Sequence, residues 1–196
     1  MNPHMTHPEQ YEADTRLKER PLAFVDLEFT GLQAHHEILQ IGCVLVSQPD
    51  LNVIREWQVR VKPEHIGDAD PKALELVGYS EEVWSEAVPL KDALTQFNEV
   101  VNGAVLVGFN VVWDVFFLKK SYAEVRVAPT FHWQVLDVLS MAFLELYDSD
   151  LKGFRMRELV HRFAMPEQQK WHDAFIDARA TLAIYRELKR MENDHA

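Results

Sequence analysis

The segment LAFVDLEF, residues 22–29, is an apolar run suited to a buried strand, yet it carries two carboxylates. Side chains two apart on a strand share a face, so Asp26 and Glu28 point the same way. Burying a charge is costly unless it is paired or binds a cation, and a like charge beside it adds to the cost. The fold must bring the end of this strand to solvent or place a cation site there. A lone Asp-x-Glu satisfies the first condition as readily as the second.

The rest of the chain reads as strands and helices in a definite order. ILQIGCVLVS (38–47) is a second strand, and NVIREWQVRVKP alternates as a third. QPDLN between them has turn chemistry, which predicts a hairpin. Pro71 and Gly78 bracket a short helix, and SEEVWSEA reads as a capped turn. PLKDALTQFNEVVNG is an amphipathic helix with Leu90, Leu94, Phe97 and Val101 on one face. AVLVGFN (104–110) is a fourth strand and residues 113–125 a helix. A short fifth strand runs into a helix near Asp137. FRMRELVHRFAM is a helix stopped by Pro166, and the last and longest helix runs from Asp173. Three strands followed by alternating strands and helices predict an α/β domain with a central mixed sheet. Residues 1–20 read as a loosely attached tail or short lead-in helix.

Composition narrows the class. The 196 residues suit one domain with a real core. Cys43 is the single cysteine, which excludes an intramolecular disulfide and a Cys-rich zinc site; its apolar flanks predict a buried thiol. No apolar run approaches the roughly 18 residues of a membrane span, and the N-terminus lacks a signal-peptide core, so a cytoplasmic protein is expected. The net charge of −11 argues against bulk electrostatic binding of nucleic acid. It is compatible with acidic groups that hold divalent cations.

Further carboxylates fall where a sheet would gather them. Asp114 follows the fourth strand in the first turn of the next helix, where the helix dipole also favours a simple cap. His172 and Asp177 are five apart in HDAFIDARAT, which sets Asp177 about one turn into the last helix, with Asp173 as an alternative cap. Hard divalent cations take oxygen ligands. Two such ions about 3.5–4 Å apart can flank an in-line displacement at phosphorus. A histidine of unperturbed pKa about 6.5 suits proton abstraction from water.

This set resembles the three motifs of the DEDDh group of DnaQ-like 3′→5′ exonucleases. FVDLEFTGL resembles the first, with Asp26 and Glu28. VGFNVVWDVFFL resembles the second, with Asp114. HDAFIDARAT resembles the third, with His172 and Asp177. The similarity covers about residues 21–190 and implies a single exonuclease domain over 21–192. It implies a ribonuclease H-like fold, a five-stranded mixed sheet flanked by helices. It also implies a two-metal mechanism using Mg²⁺ or Mn²⁺. Asp26, Glu28 and Asp177 would hold the first ion, Asp26 would bridge to the second, and Asp114 would reach the metals through a water. His172 would deprotonate the attacking water, and nucleoside 5′-monophosphates would leave from the 3′ end.

By the same resemblance, Thr30, Gly31 and Leu32 would meet the terminal nucleotide, and Asn110 would lie near the substrate. Phe109 stands where many relatives have His and Trp113 where many have Phe; both offer a flat surface for a base or fill the core. Trp171 is a second aromatic candidate. Lys152, Arg155, Arg157 and Arg162, with Lys119 and Lys120, are candidate phosphate contacts or solvated helix faces. The expected substrate is single-stranded nucleic acid with a free 3′ end, DNA ahead of RNA. DLEFTGL also resembles the oligoribonuclease form of the motif, which keeps RNA or short oligonucleotides as the alternative. An inactive adaptor on the same fold is the non-enzymatic alternative, and an endonuclease is disfavoured by the His-x4-Asp spacing. Relatives that serve polymerases often carry a C-terminal extension, whereas only MENDHA follows the last expected helix. Stand-alone action, or recruitment by a polymerase or other protein through another surface, is therefore expected.

Overall fold

The computed structural model describes residues 17–166 and 171–194. Most of the expected tail lies outside the described residues; its last part makes a 3-10 turn at Leu17–Glu19. Three strands follow: β1 (Leu22–Phe29), β2 (Ile38–Val46) and β3 (Val53–Arg60). Helices α1 (Pro71–Val77) and α2 (Leu90–Val101) come next. Then come β4 (Val105–Gly108), α3 (Val112–Val125), β5 (Val135–Asp137), α4 (Val138–Glu145), α5 (Met156–Arg162) and α6 (Ala174–Asp194). The sheet order is β3-β2-β1-β4-β5. β2 is antiparallel to β1 and β3, while β1, β4 and β5 run parallel. This is the five-stranded mixed sheet of the ribonuclease H-like exonuclease fold. No described helix is long and apolar enough to cross a membrane.

Local chemistry sets the element ends. Asp70 accepts the Lys72 N–H at 2.9 Å and Pro71 occupies the first turn of α1; left-handed Gly78 closes it. α5 is shorter than its sequence pattern at both ends. Its start is fixed where the Glu158 carboxylate accepts the Arg155 N–H at 2.8 Å, and Ala164 turns left-handed (φ 50°) just beyond its end.

The two faces of β1 go to different cores. Ala23, Val25 and Leu27 pack with Leu94 and Phe97 of α2 and Phe117 and Leu118 of α3. Leu22 and Phe24 pack on the other face with Val138 and Ala142 of α4 and Ala178, Leu182 and Tyr185 of α6. Phe24 is fully buried, its ring edge-on to Tyr185 at 5.3 Å, worth about 1.5–3 kcal/mol of apolar burial. Cys43 is buried, and burial pushes its thiol up to about 12, so it stays protonated and inert.

The face that begins with Leu22 and Phe24 continues, two residues at a time, to Asp26 and Glu28. The α6 side of the sheet is therefore core at one end and acidic at the other. Gly42 makes the approach of α6 tight. It pairs with Asp26, and a Cβ on it would lie 2.3 Å from the backbone of Ala174 and Phe175. A bare backbone on β2 lets the first turn of α6 settle directly beside Asp26.

Candidate active site

The site forms at the carboxyl ends of the three parallel strands, where open α/β sheets place their ligands. Asp26 and Glu28 lie in the last half of β1, Phe109 and Asn110 follow β4, and Asp137 ends β5. Carboxylate oxygens of Asp26, Glu28 and Asp177 lie within 4.8 Å of one another. Such a spacing suits ligands around one hard cation.

Asp114 joins them from α3. β4 pairs with β1 only as far as Phe24, which leaves the β1 edge open beyond it. There the Leu27 backbone N–H donates to the Asp114 carboxylate. Asp114 is buried, and burial raises its pKa to about 8, opposed by its own and the Leu27 backbone N–H groups and assisted by the charge of Asp137. Asp26 is raised well above its usual 3.8, first by burial and then by the charges of Asp114, Glu28, Asp177 and Asp173. All four acids of the sequence motifs are thus brought into one electrostatic unit.

Asp177 is the fourth residue of α6. Its Oδ2 accepts the His172 backbone N–H at 3.0 Å, while its Oδ1 is buried with no hydrogen-bond partner. Burial raises its pKa to about 6, eased by the His172 N–H and by Arg157 and aggravated by Asp173. A buried carboxylate oxygen without a donor, beside two further carboxylates, is what a divalent cation would satisfy. The donor set therefore fits a metal. Asp173 caps the first turn of α6 through the Ile176 N–H at 3.3 Å, as the cap alternative had it, and its charge still reaches the acidic cluster.

His172 lines the same cleft as Asp26, Glu28 and Asp177. Its pKa is lowered by burial and then by Arg157, so the imidazole is neutral near neutral pH. His172 and Asn110 both sit at left-handed backbone angles, φ 60° and 59°. Asn adopts this region readily; His does so at a cost, a pattern concentrated at functional sites.

The cleft has a volume of about 1500 Å³. Pockets that enclose a small molecule are roughly 300–1,000 Å³, so this cleft exceeds what one such molecule fills. Gly31, Leu32, Phe109 and Asn110 line it. Leu32 is 55% exposed, as a base-contacting side chain would be, and Gly31 (φ 146°) lies over the His36 ring, where a Cβ would be 2.3 Å from ring atoms.

Thr30 and Trp113 are placed differently. Thr30 is buried, with its hydroxyl accepting the Glu37 N–H at 2.8 Å and its carbonyl accepting the Asp70 N–H at 2.7 Å. Its side chain holds the loop together rather than facing the cleft. Trp113 is 39% exposed on α3 and is not among the residues lining the cleft. Neighbours on a helix diverge by about 100°, so burying Asp114 turns Trp113 away.

Two further residues, Asp137 and Gly42, shape the site. Asp137 Oδ1 accepts the N–H groups of Asn110 (2.7 Å) and Val111 (3.3 Å), and its Oδ2 caps α4 through Ser140 N–H. One carboxylate thus fixes the turn that presents Asn110 and Asp114. Its position ahead of a helix signals a cap, but its bonds to a turn 27 residues away carry no sequence signal. Gly42 did have a signal, since glycine inside a strand marks close backbone approach.

The geometry has counterparts in known proteins. The chain is 29% identical over 186 residues to DNA polymerase III PolC-type of Lactococcus lactis and 32% identical over 166 residues to that of Streptococcus thermophilus. These alignments cover 93% and 84% of this chain but 11% of each relative, so the chain spans about a ninth of their length. Its fold matches E. coli Exonuclease I in complex with a dT13 oligonucleotide, with a TM-score of 0.77 and 18% identity over 89% of this chain and 42% of that one. It also matches the nuclease domain of 3′hExo, a DEDDh family member, bound to rAMP, with a TM-score of 0.73 and 15% identity over 90% of this chain and 94% of that one. The model of the RNase_T exonuclease family matches residues 23–185, which carry all five motif residues, and the chain belongs to that family.

Proposed function

We propose that this chain hydrolyses single-stranded nucleic acid from its 3′ end, DNA ahead of RNA, releasing nucleoside 5′-monophosphates. The observation that carries this reading is the convergence of Asp26, Glu28 and Asp177, one with an unpartnered oxygen, on a large cleft lined by His172, with buried Asp114 close enough for its charge to act on Asp26. Asp26, Glu28 and Asp177 would hold one divalent cation, Mg²⁺ or Mn²⁺. Asp26 would share a second, with Asp114 behind it. When bound, such ions neutralise the carboxylates and stabilise charge developing on the scissile phosphate.

The chain's own groups do the rest. His172, uncharged, accepts the proton of the attacking water. The new bond forms between that water's oxygen and phosphorus, and the bond from phosphorus to the 3′ oxygen of the preceding nucleotide breaks. Leu32 and Phe109 face the terminal base, and the Asn110 turn, fastened by Asp137, faces the sugar end. The names of the PolC-type relatives and of the oligonucleotide complex of Exonuclease I support DNA and a replication or repair setting beside a polymerase. The second reading, RNA, is supported by the fit to 3′hExo with rAMP, which spans nearly the whole of that domain.

The test uses 5′-labelled single-stranded DNA and RNA of matched sequence, with Mg²⁺ or Mn²⁺. The expected result is a ladder shortening from the 3′ end, abolished by EDTA and by Asp26→Ala. Faster loss of DNA supports the first reading, and faster loss of RNA the second. A folded protein that degrades neither with metal present overturns both.

A further inference from the structure

The basic residues between α4 and α6 are sorted by the fold. Arg155 and Arg157 line the cleft; Lys152 and Arg162 do not. Arg157, the second residue of α5, lies with its guanidinium carbon 4.9 Å from the centre of the Trp171 ring. Trp171 also lines the cleft, immediately before His172, and is half-buried against the α6-side core.

Arg157 is exposed and makes no ion pair among the described residues. Its guanidinium rests on an indole, an arrangement worth about 0.5–1 kcal/mol at an exposed site. The ring occupies none of the guanidinium's five N–H donors, so the planar fork stays available while its motion is restricted. Arg157, Trp171, His172 and Asp177 line the same cleft, which sets the fork beside the acidic cluster.

We propose that Arg157, seated on Trp171, is a substrate-binding residue that takes the backbone phosphate of the single strand beside His172. The proposal rests on the nuclease reading above and deepens it, because it names the wall of the cleft that grips the strand. Trp171 acts as the shelf that holds the fork in place. A planar fork matches two phosphate oxygens, as a lysine ammonium does not.

The experiment measures binding of a short fluorescein-labelled oligothymidylate by anisotropy over a range of salt, with Ca²⁺ in place of Mg²⁺. KM and kcat on the same strand follow with Mg²⁺. Arg157→Met keeps the stem and removes the charge. It is expected to weaken binding about tenfold, the scale of a charge-assisted hydrogen bond. It should also flatten the slope of log K against log salt by about 0.7, one phosphate contact on a single strand. KM should rise while kcat stays within a few-fold. Arg157→Lys should restore the slope but only part of the affinity. Trp171→Phe should keep the slope and lose a few-fold in affinity. Lys91→Ala, on α2 outside the cleft, should change none of these. Arg157→Met with the affinity and slope of an active wild-type protein overturns this subsite and leaves the nuclease reading standing. A wild-type protein that neither binds nor cuts overturns both.

Discussion

Asp177 shows how much stability a single residue gives up for this site. Its pKa is raised to about 6 and that of Asp114 to about 8, both chiefly by burial. In the unfolded chain each returns to its usual 3.8. Between those values the folded chain retains protons that the unfolded chain has released. Stability of the metal-free protein therefore falls as pH rises, by Asp177 between about 4 and 6 and by Asp114 up to about 8. The melting temperature in EDTA should drop from about pH 5 to about pH 8, and Mg²⁺ should remove most of that drop. Asp114→Asn, whose amide oxygen can still accept the Leu27 N–H, should flatten the upper part of the EDTA curve while abolishing hydrolysis. A melting temperature that climbs with pH in EDTA would mean that burial does not hold these two carboxyls protonated.

At the scale of elements, the site depends on how closely α6 meets the sheet and how firmly β4 hands over to α3. A Cβ at Gly42 would meet the backbone of Ala174 and Phe175, and backbone cannot swing aside as a side-chain tip can. Gly42→Ala should cost about 1–3 kcal/mol of stability, the range for overpacking. It should also abolish the rise in melting temperature that Mg²⁺ produces, because Asp177 would move off Asp26. Retention of that rise would show that α6 has another way to seat. Asp137→Ala removes acceptors from Asn110, Val111 and Ser140 and should cost a similar amount. Its hydrolysis rate should fall further than its stability, since the turn carrying Asn110 and Asp114 loses its anchor; equal losses would make Asp137 a cap and nothing more.

These two positions also mark what could be read from the chain. β1 was legible to its last residue because acids in an apolar run are conspicuous, and α6 because its periodicity is long. The four carboxylates and His172 were legible as a spaced set. The tie from Asp137 to Asn110 was not, because a side-chain bond between distant segments leaves no periodicity. The placement of the Trp113 and Thr30 side chains was not legible, because adjacency to a motif residue says nothing about the direction in which the backbone points a side chain.

For the whole molecule, the question is how a chain of net charge −11 would hold the proposed polyanion. The cleft itself is no exception. Its lining has three cations, Lys72, Arg155 and Arg157, against four carboxylates, Asp26, Glu28, Asp70 and Asp177. With every carboxylate ionised and His172 neutral that leaves one net negative charge, and the burial that favours protonated Asp26 brings the metal-free cleft to about zero, so without metal it offers a phosphate backbone no net attraction. Two divalent cations make it positive and add more positive charge than all three side chains together. Binding of a short single strand should therefore need a divalent ion. With Ca²⁺ present and only three cationic side chains to displace counterions, the slope of log K against log salt should be shallow, about −2. Raising salt from 50 to 200 mM should cost roughly twentyfold in affinity, far less than for a protein with a broad basic face. Long duplex DNA, which rewards such a face, should bind weakly. Anisotropy titrations with EDTA, with Ca²⁺ and over that salt range read all three. Tight binding in EDTA, or a slope several times steeper, would mean that the strand is held on a basic surface elsewhere and that the acidic cleft is reached only at its cut end.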